Sequence, residues 1–164
     1  MSEIEFSSES LGSDAAASLI AQLNAELSAR YPEPGATHFR LDPGEIAPSA
    51  GVFLVARLLG RPVACGALRS LRDHASVREL GPRVGELKRM YVAADARRKG
   101  IGRALLARLE DHARALGLER LVLETGTRQA EALALYASSG FMPMLAYGEY
   151  SSSPETSVCM SKVL

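Results

Sequence analysis

The sequence predicts an α+β (mixed α/β) fold, with a central mixed, mostly antiparallel β-sheet and helices on both faces. Three observations carry that expectation. Residues 51–59 and 62–71 are two apolar runs separated by Gly60-Arg61, the pattern of a β-hairpin. The strand-like run 84–92 leads through a glycine-containing turn into helical spacing over 101–116, and residues 121–125 return as a strand. Two strands joined through a helix form a parallel pair with a right-handed crossover, so the sheet must be mixed.

The remaining elements follow in order. Residues 3–6 alternate as a short first strand. Ala16, Leu19, Ile20, Leu23 and Leu27 recur at helical spacing, with Ser13 or Asp14 as N-cap and an end by Tyr31, before Pro32 and Pro34. Residues 32–50 are rich in proline and read as a connection with at most one helical turn. Residues 73–83, polar and containing Gly81-Pro82, read as a loop. In the 101–116 helix Ile101, Leu105, Leu109, Ala113 and Leu116 repeat every three or four positions, and Gly117 stops it. Gly126-Thr127 opens a further helix whose inner side would be Ala130, Leu133, Ala134 and Ala137. Gly140 ends it, Phe141 starts a strand region that Pro143 interrupts, and residues 157–164 alternate as a last strand after the Ser151–Pro154 turn.

A chain of 164 residues with 47% apolar and 23% charged residues is expected to form one domain, residues 1–164, with a real core. Nineteen basic residues balance nineteen acidic ones, which argues against nucleic acid and anionic membranes as partners. No apolar run reaches membrane-spanning length, and the acidic N-terminus lacks a signal-peptide pattern, so a cytoplasmic location is expected. Cys65 and Cys159 read as buried thiols, and no Cys/His spacing supports a metal. A homodimer stays open.

Local charge is concentrated in one place. Arg97, Arg98, Lys99 and Arg103 surround Gly100-Ile101-Gly102, with Asp95 as the single carboxylate. Glycines let the backbone turn sharply and approach a ligand, and the N-terminus of the following helix offers unpaired N–H groups at the positive end of its dipole. The stretch reads as a pyrophosphate cradle. A dinucleotide fingerprint would need a third glycine where Leu105 stands, and the Gly-Lys-Ser/Thr phosphate loop is absent.

The order of elements, Arg97-Arg98-Lys99-Gly100-Ile101-Gly102 at a strand-to-helix junction, and Ala132 to Phe141 with Tyr136 and Gly140-Phe141, together resemble the GNAT superfamily of acetyl-CoA-dependent N-acetyltransferases. The likeness covers roughly residues 50–164. It implies acetyl-CoA as co-substrate, no metal, and a small-molecule amine as acceptor. Main-chain groups of Met90, Tyr91 and Val92 would pair with the pantetheine arm, and an N–H there would meet the thioester oxygen. N–H groups from Arg98 to Arg103 would hold the pyrophosphate, so Met90 to Val92 and Arg97, Arg98, Lys99, Gly100, Ile101, Gly102 and Arg103 form the expected cofactor-binding set.

The resemblance further implies Glu86 as general base, directly or through water, because an ammonium cannot attack a thioester until it loses a proton. The competing reading is a strand carboxylate facing solvent or paired with Lys88 or Arg83. Tyr136 is implied as general acid toward the departing thiolate, against a helix tyrosine with its hydroxyl at the surface. His38, His74 and His112 are scattered, Cys65 suits a strand core better than a covalent route, and Met142 and Met144 read as core or site-wall filler. Lys88, Arg89 and Arg69 border the expected site and favour an amino acid or related small acid as acceptor, although strand alternation makes at least one of them a solvated charge. A peptide N-terminus, a polyamine and an antibiotic amine stay open, as does a non-catalytic acyl-CoA sensor or scaffold.

Overall fold

The structure is a computed structural model that describes residues 3–33, 43–75, 77–153 and 155–164. One seven-stranded sheet runs in the order β1-β2-β3-β4-β5-β7-β6. Its strands are β1 (Ile4–Ser8), β2 (Gly51–Leu58), β3 (Arg61–Ser70), β4 (Val84–Val92), β5 (Arg120–Gly126), β6 (Met142–Met144) and β7 (Ser157–Val163). β4 and β5 are parallel and every other neighbouring pair is antiparallel.

The helices are α1 (Asp14–Arg30), α2 (Val77–Leu80), α3 (Ile101–Ala115) and α4 (Ala130–Ser138). Ser13 caps α1, its Oγ accepting from the Ala16 N–H at 3.1 Å, and Tyr31 closes it. α1 and α3 cover opposite faces of β3 and β4. A Cβ on Gly66 would strike Leu109 of α3 at 2.9 Å and touch Leu105, whereas Tyr91, opposite Cys65 in the next register position, reaches Gln22 of α1. Ile101, Leu105, Leu106, Leu109 and Ala113 are the buried stripe of α3. Deep burial of a large apolar side chain contributes about 2 kcal/mol, so this stripe anchors the helix whose first turn borders the site.

Three expectations need correction. Residues 73–83 contain the short helix α2 rather than only a loop. Helix α4 begins at Ala130 and buries Tyr136, with Ala132 and Leu133 half-buried, while Ala130, Ala134 and Ala137 are exposed. Met142 is 69% exposed on the edge strand β6 and fills no core. His38 lies outside the described residues.

The feature that makes the site is an irregularity in β4. Ala67 pairs with Lys88 and Cys65 with Tyr91, so β4 carries one extra residue there, and Arg89 takes φ 57. This β-bulge bends the strand. Pairing between β4 and β5 runs from Val84↔Arg120 to Leu87↔Leu123 and stops, although both strands continue. Beyond Leu87 the two strands splay apart.

Candidate active site

A cleft of about 410 Å³ opens at the splay. Met90, Tyr91 and Val92 line it from β4, Arg97, Arg98, Gly100, Ile101, Gly102 and Arg103 from the turn and α3, and Tyr136 from α4. Leu23, Glu26 and Arg30 of α1 close the opposite side. Of the expected cofactor-binding set, only Lys99 stays off the cleft wall.

Two separate constraints shape the turn. Arg98 (φ 63) and Gly100 (φ 76) both adopt the left-handed conformation, which turns successive N–H groups toward one side. Gly100 is the N-cap of α3 and no side chain caps the helix start. At Gly102 the constraint is proximity: a Cβ there would stand 3.2 Å from Leu135 of α4 and 3.5 Å from Val92.

The four cations divide their labour. Arg97 donates from Nε to the Val92 carbonyl at 2.9 Å, and from Nη2 to both Glu26 oxygens at 2.8 and 2.9 Å. It stacks over the Tyr91 ring and thereby clamps the turn to α1. Arg103 donates to the Ser138 hydroxyl at 2.8 Å, tying α3 to α4. Asp95 is drawn away to Arg61 at 3.2 Å. Arg98 and Lys99 make no hydrogen bond or ion pair among the described residues, so they carry the uncommitted positive charge at the helix start.

A second, smaller cavity of about 100 Å³ adjoins the first and shares Leu23, Met90, Gln129, Ala132 and Tyr136 with it. Its other walls are Leu27, Leu87, Lys88 and Arg89, Glu124 and Thr125 of β5, and Tyr150. Tyr136 therefore stands between the two. Its hydroxyl makes no hydrogen bond among the described residues, and burial, followed by the charge of Glu124, raises its pKa above the usual tyrosine range. Burial raises Tyr150 in the same way, with Glu86 and Glu124 adding to it. The pKa of Lys88 is lowered, chiefly by desolvation.

Glu86 is elsewhere. It is 1% exposed and lines neither cavity. Its partner is neither Lys88 nor Arg83 but Arg69, the residue opposite it on β3. Arg69 donates from Nε to Oε1 at 2.8 Å, and the Tyr147 hydroxyl donates to Oε2 at 2.6 Å. Arg69 also bonds Glu45 in the 3-10 turn Pro43–Ile46, while Arg83 pairs with Glu119. The result is a largely buried clasp, Glu45–Arg69–Glu86–Tyr147, joining four segments: the 3-10 turn, β3, β4 and the stretch that carries Tyr147. Tyr147 stacks edge-on against Tyr150 with ring centres 5.3 Å apart, so the clasp ends one ring away from the small cavity.

Glu124 and Tyr150 were missed by sequence reasoning, as was the clasp. Their signal was present: Glu124 follows Leu121-Val122-Leu123, and Arg69 and Glu86 are charges inside otherwise buried strands. A charge in such a place must be paired or must face a site. Cys65 and Cys159 are buried and free, and burial pushes the Cys65 thiol up to about 12, which suits an inert core position. Among the described residues no cluster of His, Cys, Asp and Glu could hold a metal ion, and no helix is long and apolar enough to cross a membrane.

The residue pattern of the Acetyltransferase (GNAT) family matches residues 17–141 of the chain. The chain belongs to the GNAT family of acetyltransferases. It is 41% identical over 164 residues to an IAA acetyltransferase of Azospirillum brasilense, covering 100% of both chains. The fold superposes with a TM-score of 0.80 on a Klebsiella pneumoniae protein assigned as an acyl-CoA N-acyltransferase, 30% identical, covering 98% of this chain and 97% of the other. A GNAT acetyltransferase from Elizabethkingia anophelis, solved with acetyl-CoA bound, shares the fold at TM-score 0.65 and 18% identity, covering 98% of each chain.

Proposed function

We propose that this GNAT acetyltransferase moves the acetyl group of acetyl-CoA to a primary amine of a small molecule, by direct attack within the two joined cavities. The observation that carries this reading is their meeting at Tyr136 and Met90. The larger cleft, with the splayed edge of β4 and the open helix start, suits an extended phosphate-bearing donor. The smaller has room for a compact acceptor and presents polar groups to it.

In this reading the backbone of Met90 to Val92 aligns the pantetheine arm as an added strand would. The N–H groups from Arg98 to Arg103, with the side chains of Arg98 and Lys99, hold the pyrophosphate. The amine nitrogen attacks the thioester carbon, a C–N bond forms and the C–S bond breaks. Glu124 receives the proton the nitrogen sheds, because Glu124 is a wall of the acceptor cavity and Glu86, sealed behind Tyr147, is not. Tyr136 donates to the departing sulfur, and the proton taken by Glu124 balances the one Tyr136 gives up. Tyr136, raised further by burial, is protonated at neutral pH as any tyrosine is, which is the state the role requires.

Small amino acids and related acids are the first acceptors to test, together with the IAA in the name of the Azospirillum brasilense relative. The test is thiol release from acetyl-CoA across primary-amine classes, with the product identified by mass. Glu124→Gln and Tyr136→Phe are expected to lower kcat by about a hundredfold or more, the usual contribution of a positioned acid or base. If no amine in a broad panel yields an acetylated product, the reading falls.

A further inference from the structure

The small cavity has a polarity of its own. Pairing of β4 with β5 ends at Leu87↔Leu123, so Lys88 and Glu124 are the first residues past the fork, one on each arm. Both line the cavity. They lie on the same face of the sheet, since Lys88 follows Glu86 by two positions and Glu86 registers with Val122, two before Glu124. Parallel strands are about 4.8 Å apart where they pair, so at the start of the fork a cationic and an anionic wall face each other across a short gap.

Lys88 is half-buried and makes no hydrogen bond or ion pair among the described residues. Its neighbours do not satisfy it. Glu86 is engaged on both oxygens by Arg69 and Tyr147, and the charges of Glu86 and Glu149 favour the ammonium only from a distance, without an ion pair to it among the described residues. Arg89 beside it adds a second positive charge and directs a guanidinium nitrogen to Asn24 at 3.1 Å. A partly desolvated ammonium that makes no ion pair is costly to keep. An anion entering the cavity would relieve that cost.

We propose that this cavity is the acceptor subsite and that its ligand is an amine carrying a carboxylate a short distance from the nitrogen, an α- or β-amino acid, with Lys88 holding the carboxylate. The proposal rests on the acetyl-transfer reading above. In this pose the nitrogen lies on the Glu124 and Tyr136 side, where the smaller cavity opens into the donor cleft, and the carboxylate lies on the β4 side. Lys88 is thus a specificity-determining residue. A long polyamine would place a second cation against Lys88 and Arg89, which disfavours it.

Matched acceptor pairs test the assignment: alanine against ethylamine, leucine against 3-methylbutylamine, with β-alanine and 1,4-diaminobutane alongside. The wild-type enzyme should favour the acid of each pair by about tenfold to a hundredfold in kcat/KM, the range of one charge-assisted contact. Lys88→Met keeps the aliphatic stem and should abolish that preference through KM for the acid. Lys88→Glu should move the preference toward the diamine. Thermal unfolding and coenzyme A affinity, measured for each variant, show that fold and donor site are intact. Equal or better use of the decarboxylated amines by the wild type, or an unchanged preference in a folded Lys88→Met protein, overturns the subsite while leaving acetyl transfer standing. Absence of thiol release with every amine overturns the parent reading and this one with it.

Discussion

Glu86→Gln separates two roles that a buried carboxylate beside an active site can play. Arg69 is 7% exposed and sits between Glu45 and Glu86, and Tyr147 donates to the other Glu86 oxygen. The substituted amide keeps an acceptor for Tyr147 but removes one of the two negative charges on Arg69. Breaking a buried ion pair costs about 3–5 kcal/mol, and the surviving contact to Glu45 puts this case near the lower end. For a chain of this length each kcal/mol moves Tm by roughly 2–4 °C, so Glu86→Gln should lower Tm by about 6–12 °C. Thermal unfolding by circular dichroism measures it. If the small cavity takes the amine, the same variant should disturb catalysis mainly through KM for the amine, because Tyr147 supports Tyr150 on the wall of that cavity. If the substitution leaves Tm within about 2 °C and lowers kcat by about a hundredfold, Glu86 is the proton acceptor and the clasp argument fails.

The other expectations concern the turn, the thiols and the N-terminal strand. Gly100→Ala meets no neighbour but must hold φ 76, so it should cost about 1–2 kcal/mol and raise KM for acetyl-CoA; urea unfolding and donor kinetics read both. Neutralising Arg98 and Lys99 together should raise KM for acetyl-CoA, with a smaller effect at high salt, as expected of solvent-exposed charges; kinetics at two ionic strengths check this. Cys65 and Cys159, with thiols raised by burial to about 12 and about 11, should resist a chromogenic disulfide reagent at pH 7.5 in the folded protein and react once it is unfolded. Arg57, with help from the Ser7 and Ser13 hydroxyls, holds Glu9 down to about 2 from an ordinary 4.5. A carboxylate depressed by folding stabilises above its unfolded pKa and stops doing so as pH falls through the folded one. The stability advantage of wild type over Glu9→Gln should therefore be full above pH 5 and shrink between about 4.5 and about 2, as acid titration followed by fluorescence would show.

The sheet, its hairpin, both long helices and the glycine turn before α3 were legible because each rests on a local signal. Hydrophobic spacing marks α3, Ser13 marks the start of α1, and two glycines mark the turn. The same local signals misread the surroundings of Glu86. Nothing in the spacing around Glu86 distinguishes a carboxylate aimed into a cleft from one locked by Arg69, because the lock depends on register between β3 and β4. Strand alternation likewise failed for the charges near the site: it required a solvated charge among Arg69, Lys88 and Arg89. Arg69 is buried in the clasp, and Lys88 and Arg89 both line the small cavity. Alternation presumes a regular strand, and β4 departs from one beyond Lys88, where Arg89 sits in the bulge. In α4 the apolar residues Ala130, Ala134 and Ala137 were assigned to a core. Ala134 instead lines the open cleft, an apolar surface that helical spacing cannot tell from a packed one.

The bulge at Arg89 links these failures to the chemistry. A non-glycine residue at φ 57 is a strained choice, sustained only when the surroundings require it. Here β3 pairs with β4 on both sides of the irregularity, so the strain does not cost the sheet its continuity. What it does is turn β4 away from β5 after Leu87, which opens the larger cleft beside Met90 to Val92 and the small cavity beside Lys88. The extra residue also resets the alternation, so that Tyr91 faces α1, where Arg97 stacks on it and grips Glu26. That grip holds the turn carrying Arg98 and Gly100 against the cleft. One inserted residue therefore opens both chambers and fixes the loop that borders the larger, which explains why two charges two positions apart on one face of a single strand end in separate compartments: Glu86 in a sealed clasp, Lys88 in the cavity beyond it.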